Sequence, residues 1–289
     1  MRWFETGGAI LALAVLTACG AADPQAAPAP APSASPAVTA PAQAGAKPSA
    51  PAAAKSELTA RAAQVALDAG TRKVRTARTG RLTWTAELAS VTGRLTQSAR
   101  NTYDLGANRW AAKVTVRAAE GTLAFDYAAA GSKLYVTFRQ GMPAELRGRW
   151  LGLDRSAVPE LETGRAVIDA LAAVRATGAR RTAAGTVVQG TLPARLALGL
   201  LALSGVPELA GRTVGGTATV EIRLDPAGRV VGLAMRGGDV KLAGDVPASV
   251  RRSVAGSKLS AQLAGFGSPV TVTTPKKWTP VDAQDLPGR

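Results

Sequence analysis

The side chain with the most distinctive chemical context is that of Cys19, the single thiol of the chain. An apolar run from Ala9 to Leu16 comes before it, and the small residues Thr17 and Ala18 directly precede it. A short start carrying Arg2 opens the chain, which gives the order of a secretion signal. The run is shorter than the roughly 20 residues that a membrane-spanning helix needs. The sequence therefore predicts export, with a thiol placed for alkylation at the processing site.

The segment Leu16-Thr17-Ala18-Cys19 resembles the lipobox of bacterial lipoproteins. The resemblance implies thioether lipidation of Cys19, cleavage after Ala18 and acylation of the new N-terminus. Two or more acyl chains give stable attachment, because each buried methylene contributes about 0.8 kcal/mol. We therefore expect residues 1–18 to be a signal peptide and the protein to be lipid-anchored to the cell membrane, on its extracytoplasmic face. The alternative is an ordinary signal peptide with a chance cysteine.

Residues 19–54 are expected to form the lipidated N-terminus and a linker rich in Ala and Pro. Proline removes backbone donors and favours extended polyproline II, so this composition predicts a disordered, semi-rigid stalk that forms no core. The stalk could extend for about 100 Å at roughly 3.1 Å per residue. Such a length would hold the remainder of the chain clear of the membrane surface.

Residue types that support catalysis are scarce. The chain has no histidine, which removes the commonest general base. Because Cys19 is also committed to lipid, catalytic triads and Cys/His zinc sites are excluded. The adjacent pairs Ser132-Lys133 and Ser257-Lys258 would point to opposite faces of a strand. Carboxylates such as Asp225 and Asp239 stand at turn positions, although a glycosidase-like carboxylate pair is not ruled out by type alone. We predict that the protein is not an enzyme and uses no cofactor or metal.

Residues 55–289 are expected to form one folded domain. Apolar residues at helical spacing predict helices at 56–73, 158–176 and 193–203. Strict alternation predicts half-buried strands at 82–88, 110–117, 122–127, 133–139, 185–192, 220–224, 230–235, 258–264 and 269–273. Short connections at 118–121 and 129–132 make neighbouring strands antiparallel. The sequence therefore predicts an α+β fold with an antiparallel meander.

The order of these segments resembles the LppX/LprG group of actinobacterial lipoproteins, which share the LolA-like fold. The resemblance rests on the helix and meander, on Arg149-Trp150-Leu151-Gly152-Leu153, on the turn 224–229 and on the closing segment 265–270. It implies a strongly curved antiparallel sheet, a half-barrel with helices packed on its concave face. It also implies an apolar cavity for lipid, because members of the group bind or transport lipids and glycolipids.

The apolar positions of the strands and of the helix 193–203 are the candidate cavity-lining residues: Leu82, Trp84, Trp110, Val114, Leu123, Phe125, Leu134, Val136, Phe138, Leu200 and Leu203. Alternation requires only that this face meet something apolar, which is either a ligand or a packed core. Ordinary core packing therefore stays open as the alternative.

The formal net charge is +15 and the isoelectric point is near 11.0. Basic residues cluster between Arg72 and Arg81, at Arg180-Arg181 and at Arg251-Arg252. Such charge draws a domain toward anionic lipid or an anionic envelope polymer, although a merely solvated basic surface is the alternative. Nucleic acid is not expected as a partner of an exported protein. Two functions follow: a membrane-anchored lipid or glycolipid carrier, or a non-enzymatic scaffold with a dry core and a basic surface for an anionic polymer or protein.

Lipid attachment at Cys19 can be tested directly. Metabolic labelling with a clickable fatty acid should mark the wild-type chain, because its thiol accepts diacylglycerol. The Cys19→Ser variant should stay unlabelled, keep its leader and move from the membrane to the soluble fraction. An unlabelled wild-type chain, or a serine variant with unchanged processing and fractionation, would contradict the assignment.

Overall fold

A computed structural model describes residues 57–90, 93–201, 209 and 212–282. Its helices, in chain order, are α1 (Ala60–Ala77), α2 (Thr163–Leu171), α3 (Ala194–Leu200) and α4 (Ala248–Ala255), with short 3-10 turns at Arg155–Ala157 and Pro159–Glu162. Its strands are β1 (Glu57–Leu58), β2 (Thr79–Ser90), β3 (Gly93–Asp104), β4 (Arg109–Ala118), β5 (Gly121–Ala130), β6 (Lys133–Gln140), β7 (Trp150–Asp154), β8 (Arg175–Thr182), β9 (Gly185–Pro193), β10 (Gly215–Leu224), β11 (Val230–Ala243), β12 (Lys258–Ala264) and β13 (Thr279–Pro280).

All the strands belong to one sheet, in the order β1-β8-β9-β10-β11-β12-β2-β3-β4-β5-β6-β7-β13. Neighbouring strands are antiparallel except for β7 and β13. The meander β2–β7 is joined to the second half of the chain where β12 pairs with β2. Because β1 and β13 lie at opposite ends of this order, the described sheet is open. The predicted α+β fold with an antiparallel sheet is therefore confirmed.

The helices lie on one face of the sheet and share a core with it. Helix α1 packs on β8, α3 on β10, α4 on β11 and β2, and α2 on α3. Thr59 caps α1 by accepting a hydrogen bond from the Ala62 N–H, and Gln64 links the helix to β8 by accepting the Ala176 N–H at 2.7 Å. Inward-facing residues of both halves of the sheet enter one hydrophobic core. The sheet thus bends around its helices in the manner of a half-barrel.

Several predicted elements differ from the observed ones. The predicted helix 158–176 is a 3-10 turn followed by the shorter α2, and its last residues already belong to β8. The predicted strand 269–273 was wrong, because this segment has no strand pairing. Strands β1, β3, β7, β8 and β13 and helix α4 were not predicted. None of the described helices combines the length and the apolarity that a membrane span requires.

Helix α4 approaches the sheet so closely that only glycine fits at one position of β11. The Gly237 N–H donates to the Ser257 carbonyl at 2.7 Å, and a Cβ at Gly237 would lie 1.5 Å from the Val254 carbonyl oxygen. The next residue, Gly238, has no heavy atom closer than 3.8 Å to such a Cβ. The backbone of α4 is thereby held directly on the strand.

We predict that Gly237→Ala lowers the free energy of unfolding by about 2–3 kcal/mol, because backbone atoms must move to admit the methyl group. Gly238→Ala is the matched control and should change it by less than about 0.5 kcal/mol. Denaturant titration of both variants measures the difference. Equal destabilisation by the two substitutions would contradict the close approach.

Candidate functional site

The predicted lining residues of the strands lie together on the inner face of the sheet, which is the face that carries the helices. Cross-strand pairing places Val114 opposite Phe125, and Phe125 opposite Phe138. The two phenylalanine rings have centroids 6.1 Å apart, within the usual range for tilted aromatic pairs. Leu200 joins the same core from α3. Leu203, like Ala18 and Cys19, lies outside the described residues.

In the described structure, protein atoms surround these side chains. The ten described candidates are between 0% and 4% exposed: Leu82, Trp84, Trp110, Val114, Leu123, Phe125, Leu134, Val136, Phe138 and Leu200. Side chains buried to this degree touch protein on all sides. A lipid that used this face would have to separate the helices from the strands, so a lining role stays a prediction for these residues.

Polar residues that the sequence analysis did not single out also point into the core. Gln97 and Asn101 occupy inward positions of β3. The Asn101 amide donates to the Leu82 carbonyl at 3.2 Å, and its oxygen accepts a hydrogen bond from the Tyr127 hydroxyl at 3.1 Å. Burial raises the pKa of Tyr127, and the Glu162 carboxylate raises it further. Burial alone raises the pKa of Tyr103 to about 12.

Three polar groups on the strands of this face have no hydrogen-bond partner among the described residues: the Tyr103 hydroxyl, the Trp84 indole N–H and the Gln97 side-chain oxygen. Trp84 stands opposite Ala99, two residues along β3 from Gln97, so the two side chains are diagonal neighbours. A buried polar group without a partner costs about 1–3 kcal/mol. Trp84 and Gln97 thus offer one donor and one acceptor on a largely apolar surface. The sequence could have indicated these groups through Gln97, which is a polar residue at an inward position of a strand.

A buried ion pair lies beside the N-terminus of α2. The Arg155 guanidinium is bidentate on Glu162, with Nε at 2.8 Å and Nη2 at 2.6 Å from Oε1. Its Nη1 also donates to the Asn108 and Gly131 carbonyls at 3.3 and 3.2 Å. Both charged groups are nearly fully buried, and removal of one would leave the other uncompensated. The pair therefore fixes the 3-10 turns against the β3–β4 and β5–β6 turns.

The side chains of the predicted basic clusters are exposed, but several of them form hydrogen bonds or ion pairs within the protein. Arg251 donates to the carbonyls of Val246, Leu242 and Gly244 and so closes the loop before α4. Arg75 lies 4.0 Å from Asp169, and Lys73 donates to the Ala227 carbonyl. Part of the predicted positive surface is therefore used to hold the fold. Within the described parts of the chain, no three potential His, Cys, Asp or Glu ligands lie together.

The fold is similar to those of two mycobacterial proteins. LprF from Mycobacterium bovis has 13% sequence identity over 75% of this chain and 99% of its own, with a TM-score of 0.41. The lipoprotein LppX from Mycobacterium tuberculosis has 15% identity over 74% and 99% of the two chains, with a TM-score of 0.40.

A putative outer membrane lipoprotein-sorting protein domain from Vibrio parahaemolyticus has 10% identity over 71% and 95% of the two chains, with a TM-score of 0.27. No protein-family model and no curated protein matches the sequence. Likeness at these identities concerns the fold alone.

Proposed function

We propose that this protein is an envelope lipoprotein, anchored through Cys19, that binds lipid or glycolipid between the inner face of its sheet and the helices that cover it. The observation that carries the proposal is the continuous apolar inner face of an open sheet. The lipobox-like start of the sequence supports the anchor, and the Ala/Pro-rich segment supports a tether.

The covering helices are suited to separation from the sheet. Helix α3 spans only Ala194–Leu200, α2 spans Thr163–Leu171, and neither has a side-chain cap at its N-terminus. Short helices without caps owe their stability to packing rather than to their own hydrogen bonds. An acyl chain that replaces this packing would regain about 0.8 kcal/mol for each buried methylene. The free energy gained by burying the acyl chain would therefore offset the free energy lost when the helices separate from the sheet.

The unpartnered atoms of Trp84 and Gln97 give the ligand a polar contact. The indole N–H would donate to an ester or hydroxyl oxygen, and the Gln97 oxygen would accept from a hydroxyl. Lipids that carry both an acyl chain and hydroxyl groups, such as glycolipids, offer both partners. This contact would recover part of the cost of burying the two groups without partners.

The second candidate is a scaffold lipoprotein with a dry core. The near-complete burial of all ten described candidate residues favours it, because a face filled by protein needs no ligand. In that case the exposed basic surface, rather than the inner face, would carry the interaction with a protein or an anionic polymer.

Tryptophan quenching by a lipid with brominated acyl chains separates the two candidates, because bromine quenches only rings that it contacts. Trp84 and Trp110 lie on the inner face, whereas Trp150 and Trp278 lie on the outer face. We expect the lipid to quench the wild-type chain and the Trp150→Phe/Trp278→Phe variant. Quenching should be largely lost in the Trp84→Phe/Trp110→Phe variant.

Thermal unfolding of both double variants controls for folding. Quenching that depends on Trp150 and Trp278 instead would indicate adsorption to the outer face. The absence of any quenching, with the fold intact, would leave the dry-core scaffold as the function.

A further inference from the structure

The outer face of the meander, opposite to the core, contains a depression of about 570 Å³ across strands β2–β6. We call it the outer groove. Hydroxyl groups line its floor, because Ser98 stands directly opposite Thr85 on β2 and Thr115 on β4. Arg100 and Lys113 border it as an opposed pair on β3 and β4. The outer groove is separate from the inner face and does not depend on lipid binding there.

Positive charge in the outer groove exceeds negative charge. Arg100, Lys113 and Arg117 are exposed, and none of them takes part in an ion pair among the described residues. Asp126 stands opposite Lys113, but its carboxylate is bound by the Arg139 Nε at 2.8 Å. Three cations therefore remain without an acidic partner in one depression.

The arrangement is unfavourable unless an anion is present. Like charges directly opposite each other on neighbouring strands repel, and Arg100 and Lys113 are such a pair. An anion between them would reverse the sign of the interaction. Guanidinium, ammonium and hydroxyl groups together offer several donors to a tetrahedral oxyanion such as a phosphate.

The extent of the positive charge indicates a polymer rather than a single phosphate. Arg117 lies four residues along β4 from Lys113, which is about 13 Å. One phosphate is too small to contact both of these cations, whereas separate phosphates of one extended chain would contact them together. A planar membrane would meet the rim of the depression but not the hydroxyl groups on its floor.

Nucleic acid fits the outer groove less well than a phosphate polymer without bases. Single-stranded nucleic acids are bound largely by the stacking of bases on exposed aromatic rings. The Trp84 backbone contributes to the groove, but its ring is buried on the inner face. No other aromatic residue lines this depression. We propose that the outer groove binds a linear phosphodiester polymer that lacks bases.

The test is fluorescence anisotropy of labelled poly(glycerol phosphate) with the full chain in detergent. The variant Arg100→Gln/Lys113→Gln/Arg117→Gln should bind about tenfold more weakly. The slope of log K against log salt should become less steep by about 2, because fewer counterions are released when fewer phosphates are neutralised. The control Arg72→Gln/Arg180→Gln/Arg252→Gln removes the same charge from exposed positions elsewhere. It should keep most of the wild-type affinity.

The two triple variants should have the same unfolding temperature, because all six side chains are exposed. Equal losses of affinity in both variants would overturn the proposal, since net charge alone would then explain binding. Tighter binding of polyglutamate, of oligo-dT or of phosphatidylglycerol vesicles, with the same dependence on the groove cations, would also overturn it. Each of those results would replace the phosphodiester polymer with another occupant.

Discussion

The structure depends on a single constraint, the strict alternation that gives each long strand one apolar and one polar face. Every strand of the meander pairs in a register that keeps these faces aligned, and the pairing of β12 with β2 extends the alignment into the second half of the chain. A slip of one residue would move a whole set of core side chains into solvent. The same register that forms the core therefore also assembles the polar groups of the outer groove.

Alternation also explains how much of the fold could be predicted from the sequence. Strands β2, β4, β5 and β6 have apolar or aromatic residues at their inward positions, so these strands and their antiparallel order were predicted. Strand β3 was missed because two of its inward positions are Gln97 and Asn101, which interrupt the apolar period. Their hydrogen bonds depend on residues of other strands, and local sequence carries no information about such partners.

The predicted strand 269–273 and the outer groove both depend on which strands pair, and local sequence does not specify this. Residues 269–273 alternate, but they pair with no described strand, and local alternation carries no information on whether a neighbouring strand is within reach. The unpaired groove cations are separated in sequence, from Arg100 to Arg117. Only the register brings them together, so the sequence indicated a basic protein without indicating where an anion would bind.

Two large rings of the inner face stand opposite small side chains. Trp84 stands opposite Ala99, and Trp110 stands opposite Ala129, so each ring covers space that the alanine leaves open. A core built in this way is complete without a ligand, which accounts for its burial. Rotation of one of these rings away from its alanine would uncover an apolar strip across two strands. Under the proposed function, the same alanines would let an acyl chain enter once the ring opposite them moves.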